Sequence, residues 1–88
     1  MSWQVYIVEC SDSTLYTGVT TDIDRRIDEH NGAAGTANKG AKYTRVRRPV
    51  LLKYQEECDN RSEACKREAA IKKMNKTQKI ALIKSVSN

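Results

Sequence analysis

The feature that most constrains the fold is an alternating pattern at the start of the chain. Trp3, Val5 and Ile7 fall on one side of an extended segment, and Tyr6 and Val8 on the other. Ser11-Asp12-Ser13-Thr14 then supplies turn chemistry, and Leu15 to Val19 resumes the strand pattern, which makes a β-hairpin. An even register would place Tyr6, Val8, Tyr16 and Gly18 on one face, with Gly18 leaving a gap beside Tyr16 for a substrate backbone. Immediately afterwards, Thr20-Thr21-Asp22 offers oxygens for a helix N-cap, Ile23, Ile27 and His30 follow at helical spacing, and Asn31-Gly32 ends the helix.

The remainder must cover this hairpin. Residues 32–48 contain three glycines and many small or polar side chains, the composition of a long functional or mobile loop that Pro49 closes. Val50 to Tyr54 is an apolar, β-prone run suited to a third strand. Asp59, Asn60 and Ser62 offer caps for a helix from about Arg61 to Asn75, with Glu63 placed to complete a capping box with Asn60. Thr77 can cap a final short helix through Ile83. The expected architecture is α/β (α+β): a small three-stranded, antiparallel-containing sheet flanked by helices in the order β-β-α-β-α-α, forming one domain over residues 1–88. A chain this short buries only about 60 to 65% of its unfolded surface, so the core is thin.

Several classes fall away. No apolar run approaches the ~18 residues of a membrane span, and the N-terminus lacks the pattern of a signal peptide, so a cytoplasmic protein without membrane partners is expected. Cys10, Cys58 and Cys65 form no Cys-x-x-Cys and have a single His to join them, which favours core filling over zinc, with Cys10 at a strand end and Cys65 on the apolar side of a helix. The net charge of +5 is uneven: residues 1–38 carry two Arg against six acids, and residues 39–88 carry fourteen Lys and Arg against five. Lys39, Lys42, Arg45, Arg47, Arg48 and Lys53 fall in an acid-free strip with Tyr43 interleaved, which can neutralise phosphates or simply be a solvated loop.

Helical geometry singles out three further residues. At about 100° per residue, Arg26 and His30 flank the Ile23/Ile27 stripe, whereas Arg25 lies on the ordinary surface. A desolvated Arg needs an anion, supplied by a substrate phosphate or by Glu68, which falls inside the apolar arc of the later helix near Ala64 and Ile71. Periodicity alone favours a structural Arg26–Glu68 salt bridge over a metal ligand in a cleft. Taken singly, Tyr6 and Tyr16 read as half-buried sheet residues, and His30 as a satisfied imidazole.

Together these residues resemble the GIY-YIG nuclease superfamily, and within it the small standalone bacterial YhbQ-like group. The resemblance runs through the strand Trp3 to Val8, Leu15-Tyr16-Thr17-Gly18, the helix Asp22 to His30, Gly40 to Arg45, and Ser62 to Lys72. Gln4 and Thr17 depart from the namesake triplets, but neither replaced position supplies reactive atoms. The resemblance implies a metal-dependent endonuclease acting on DNA or structured nucleic acid, with one Mg²⁺ or Mn²⁺ on Glu68. Tyr6 would be the general base or water-positioner, its phenol lowered from a reference pKa near 10. Arg26 would stabilise the phosphorane charge, Tyr16 and His30 would orient phosphate and water, and His30 would be an alternative base. Lys39, Lys42, Tyr43, Arg45, Arg47 and Arg48 would hold the flanking backbone, and a partner protein could supply specificity. Two rivals remain: a non-catalytic nucleic-acid-binding module on the same scaffold, and a small protein that binds an acidic partner through its basic face.

Overall fold

The computed structural model describes residues 2–33 and 39–86. In chain order the elements are β1 (Trp3–Glu9), β2 (Leu15–Thr20), α1 (Ile23–Asn31), α2 (Lys42–Arg45), β3 (Leu51–Cys58), α3 (Arg61–Lys72) and α4 (Lys76–Val86). The three strands form a sheet of order β2-β1-β3 in which both pairings are antiparallel. The expected small α/β fold, with its antiparallel sheet flanked by helices, is therefore present.

The hairpin register is even, with Tyr6 opposite Gly18 and Val8 opposite Tyr16. Alternation then sorts the apolar residues between two faces. On one side Val5, Ile7, Tyr54, Ala64 and Ile71 form a buried cluster completed by Trp3, Leu15, Leu82 and Ile83. On the other, Tyr6, Val8, Cys10 and Val50 pack with Tyr16, Ile23 and Ile27. The sheet thus lies between α1 on one face and α3 with α4 on the other, and Tyr6 belongs to the α1 side.

Local chemistry explains the element ends. Asp12 accepts from the backbone N–H and hydroxyl of Thr14 in the hairpin turn. Asp22 caps α1 by accepting from Arg25 N at 3.1 Å, and Gly32 closes it in the left-handed region at φ 70°. The Asn31 side chain both accepts from Val50 N and donates to Val50 O, at 2.7 and 3.1 Å, tying the end of α1 to the start of β3.

Several sequence expectations need correction. The loop before Pro49 contains the four-residue helix α2, while its residues 34–38 lie outside the described residues. β3 continues to Cys58 because, on an edge strand, the polar run Gln55-Glu56-Glu57 can face water and still pair with β1. α3 stops at Lys72, since Asn75 is taken up in a reciprocal cap with Gln78 that starts α4, in place of a Thr77 cap. Cys65 is exposed: only Ala64 and Ile71 of α3 are fully buried, and a residue about 100° from Ala64 falls outside so narrow an arc. No helix among the described residues is long and apolar enough to cross a membrane.

Candidate active site

Gly18 is the keystone of the site, for a reason opposite to the expected gap. A Cβ at this position would lie 2.5 Å from the Tyr6 hydroxyl oxygen and 2.7 Å from Cζ, so the missing side chain makes room for the Tyr6 ring itself. Laid across Gly18, the Tyr6 phenol reaches α1, where its oxygen lies 2.7 Å from His30 Nε2. The other ring nitrogen, Nδ1, lies 2.8 Å from Thr44 Oγ1 on α2. All three side chains are buried, with Tyr6 1% exposed and His30 and Thr44 fully covered. A polar chain therefore crosses the interior from β1 through α1 to α2.

Burial sets the charge state of this chain. It pushes the Tyr6 phenol up to about 12, only partly opposed by the nearby Arg26 guanidinium, so the hydroxyl is protonated at rest. The fall in pKa expected of a simple tyrosinate base is not what this environment produces. His30 is driven the other way, to about 4, first by burial and then by the positive charge of Arg26, so its imidazole is neutral at physiological pH.

The structure brings Arg26 to this phenol and pairs it on the opposite side with its own helix. Arg26 Nη1 donates to Glu29 Oε1 at 2.8 Å and to the Lys39 carbonyl at 3.0 Å. Burial works against its charge, but Glu29 and Tyr6 outweigh this and hold it protonated. Glu68 does not pair with Arg26 as periodicity suggested. Its Oε2 lies 3.4 Å from Lys72 Nζ, and its charge is near enough to contribute to raising Tyr6. Helical i,i+3 and i,i+4 partners thus take both charges, because they are already adjacent and need no tertiary fit.

Tyr16 borders the same space. Its ring meets His30 edge-on at 5.4 Å between centroids and stacks with Tyr43 at 5.8 Å, while Lys72 Nζ sits 5.9 Å from its centroid. Arg47 lies over Tyr43 at 3.9 Å and donates from Nε to Asp12 Oδ2 at 3.0 Å, so the hairpin turn clamps α2 against Tyr16. Tyr6, Tyr16, Arg26, His30 and Glu68 are all brought to one locality.

The basic strip is more divided than its sequence suggested. Arg48 donates from Nε to the His30 carbonyl at 2.6 Å and from Nη2 to the Glu29 carbonyl at 3.4 Å, which places it at the C-terminus of α1. There it satisfies helix-end carbonyls. Arg45 donates to the Gly40 carbonyl and Arg47 to the Tyr43 carbonyl, so both brace their own loop. Lys39 and Lys42 are exposed.

The donor set for a cation is sparse. Among the described residues no three His, Cys, Asp or Glu side chains converge on a point, so an ion held through Glu68 would need water and substrate oxygens for its other positions, a coordination Mg²⁺ accepts. Glu68 suits this role because its partner Lys72 is 51% exposed, and pairs of that kind are held by only about 0–1 kcal/mol. An open depression of about 420 Å³ at the β3–α3 junction, lined in part by Glu56, Asp59, Glu63 and Arg67, contains none of these residues.

Sequence reasoning gave no role to Thr44, Glu29 or Lys72. The signal for the last two was present, as charged partners three and four residues from Arg26 and Glu68. For Thr44 the one signal was its place in the Gly40 to Arg45 segment, and its contact was not readable, since its partner is fourteen residues away and its helix has only four residues.

A family model described as the GIY-YIG catalytic domain matches residues 2–81. The chain is 60% identical over 84 residues to a UPF0213 protein of Desulfotalea psychrophila, covering 96% of this chain and 73% of that one. It is 54% identical over 78 residues to a UPF0213 protein of Halobacterium salinarum, covering 89% and 95% respectively. Among solved structures, the solution structure of a UPF0213 protein from Bacillus halodurans aligns with a TM-score of 0.60 at 40% identity, over 98% of this chain and 86% of that one. That of an E. faecalis protein aligns with a TM-score of 0.63 at 40% identity, over 97% and 85%.

Proposed function

The chain belongs to the GIY-YIG family, and on that premise we propose that it is a metal-dependent endonuclease that hydrolyses phosphodiester bonds in DNA or structured nucleic acid. The observation that carries this reading is the buried Tyr6–His30 hydrogen bond, with the Arg26 guanidinium and the Glu68 carboxylate both close enough to act on the same phenol.

This geometry favours a relay over a free tyrosinate. As water attacks phosphorus, its proton passes to the Tyr6 oxygen while the Tyr6 proton moves to His30 Nε2. The P–O bond to the leaving oxygen breaks, Tyr6 ends as it began, and His30 holds one extra proton to return to the leaving oxygen or to solvent. Tyr6 never carries the full charge that burial opposes at a pKa of about 12. An incoming phosphate draws Arg26 away from Glu29, which uncovers the hydroxyl and sets a fixed positive charge against the phosphorane, an effect of about 3 kcal/mol for one well-placed donor. Mg²⁺ or Mn²⁺ bound by Glu68 would supply Lewis-acid stabilisation of the phosphoryl oxygens. Tyr16 borders the substrate, Lys72 offers it a second positive charge, and Lys39 and Lys42 contact the flanking backbone. Neither lysine carries a base-reading geometry, so preference for a site would come from nucleic-acid shape or from a partner protein.

A second reading, a nucleic-acid-binding module without turnover, draws on the internal pairing of both site charges, Arg26 with Glu29 and Glu68 with Lys72. A panel of labelled duplex, flap, junction and RNA substrates, incubated with Mg²⁺, Mn²⁺ or EDTA, separates the two. The nuclease reading expects strand breaks in at least one metal and none in EDTA. Salt-sensitive binding with no breaks under any condition would establish the second reading.

A further inference from the structure

We propose that Thr44 is a positioning residue that fixes the tautomer of His30, so that Nε2 is always the proton acceptor facing Tyr6. This rests on the relay reading of Tyr6 and His30, although the tautomer can be observed without any cleavage.

The inference follows from counting hydrogens along the buried chain. A neutral imidazole has one N–H, and each hydroxyl has one O–H. In one ordering Tyr6 donates to His30 Nε2, His30 Nδ1–H donates to Thr44 Oγ1, and Thr44 Oγ1 donates to the Ala41 carbonyl at 3.0 Å. Every hydrogen then has an acceptor. In the reverse ordering Thr44 donates to Nδ1 and Nε2–H donates to Tyr6. The Tyr6 hydroxyl, on a side chain only 1% exposed and bonded among the described residues to His30 alone, then has no acceptor for its hydrogen. A buried hydroxyl hydrogen without an acceptor is costly, so the first ordering holds.

Thr44 is well built for this task. It is fully buried, and its backbone N–H, its hydroxyl and the Arg45 N–H all converge on the Ala41 carbonyl. The Arg47 clamp and the Tyr43 stack hold α2 in place around it. A rigid hydroxyl whose own hydrogen is committed elsewhere can only accept from Nδ1. The consequence is functional, because an Nε2–H tautomer would aim a hydrogen at Tyr6 and block the transfer that the relay needs.

The chain has a single histidine, so the long-range ¹⁵N–¹H NMR pattern of one ring reads the tautomer directly. The wild type should show a protonated Nδ1 and a bare Nε2 at neutral pH, and Thr44→Ser should keep that pattern. Thr44→Val, which preserves the shape and removes the hydroxyl, should shift the ring toward Nε2–H and slow single-turnover cleavage by about 10- to 100-fold, the usual range for a lost orienting partner. Thr44→Ser should restore the rate to within about threefold of the parent on the same basis. An Nε2–H ring in the wild type overturns the proposal, as does a Thr44→Val protein with an altered tautomer and parental cleavage. A parent that cuts nothing would remove the nuclease reading alone, because the ring spectra of the three proteins still decide what Thr44 does.

Discussion

Glu68→Ala is expected to abolish Mg²⁺-dependent strand cleavage while leaving thermal unfolding nearly unchanged. The stability side follows from a pair that is half-exposed at Lys72 and linked only along one helix, a contact worth about 0–1 kcal/mol. The activity side follows from the sparse donor set: with no group of three ligating side chains among the described residues, an ion held through Glu68 would lose its anchor when Glu68 is removed. Loss of Lewis-acid stabilisation worth about 4 kcal/mol corresponds to roughly a thousandfold in rate. Lys72, freed from its acid beside Tyr16, makes the locality more positive, so nucleic-acid binding should be retained or strengthened. Cleavage time courses beside salt-matched binding titrations and melting curves separate these effects. Parental cutting by the variant would remove Glu68 from the mechanism.

Tyr6→Phe carries the second large effect, and it divides between stability and rate. Without the hydroxyl, His30 Nε2 keeps its burial and loses its partner, which costs about 1–3 kcal/mol. The ring still fills the space over Gly18, so the sheet face should remain intact. The relay, however, loses its first acceptor, and removal of a positioned acid–base group slows reactions by about 10²- to 10⁴-fold. Rates per folded molecule, corrected by denaturant titration, decide the matter. If Tyr6 were only a packing residue, stability would fall and the corrected rate would stay at the parental value.

Much of this arrangement was legible in the sequence because it is local or periodic. Alternation in Trp3 to Glu9 assigned both sheet faces, Asp22 and Gly32 bounded α1, and the placement of Arg26 and His30 beside the apolar stripe pointed them at the sheet. What escaped was tertiary. Gly18 read as open space because a sequence shows a missing side chain and not the Tyr6 ring that fills it. The arginines at 45, 47 and 48 read as free charge because their acceptors are carbonyls and one turn aspartate, which no periodicity locates. The direction of the Tyr6 shift was also hidden: a general-base role called for a lower pKa, while burial, visible only in three dimensions, dominates and raises it.

The proposed site brings metal and phosphate together at one place, between Glu68, Tyr16, Tyr6 and Arg26. Paramagnetic broadening by Mn²⁺, titrated into labelled protein carrying a short phosphorothioate duplex that resists cutting, tests it most directly. The expected result is that resonances of Glu68, Lys72, Tyr16, Gly18 and Arg26 disappear first. Broadening centred on the acidic β3–α3 depression around Glu56, Asp59 and Glu63, with the Tyr6 locality untouched, would contradict it.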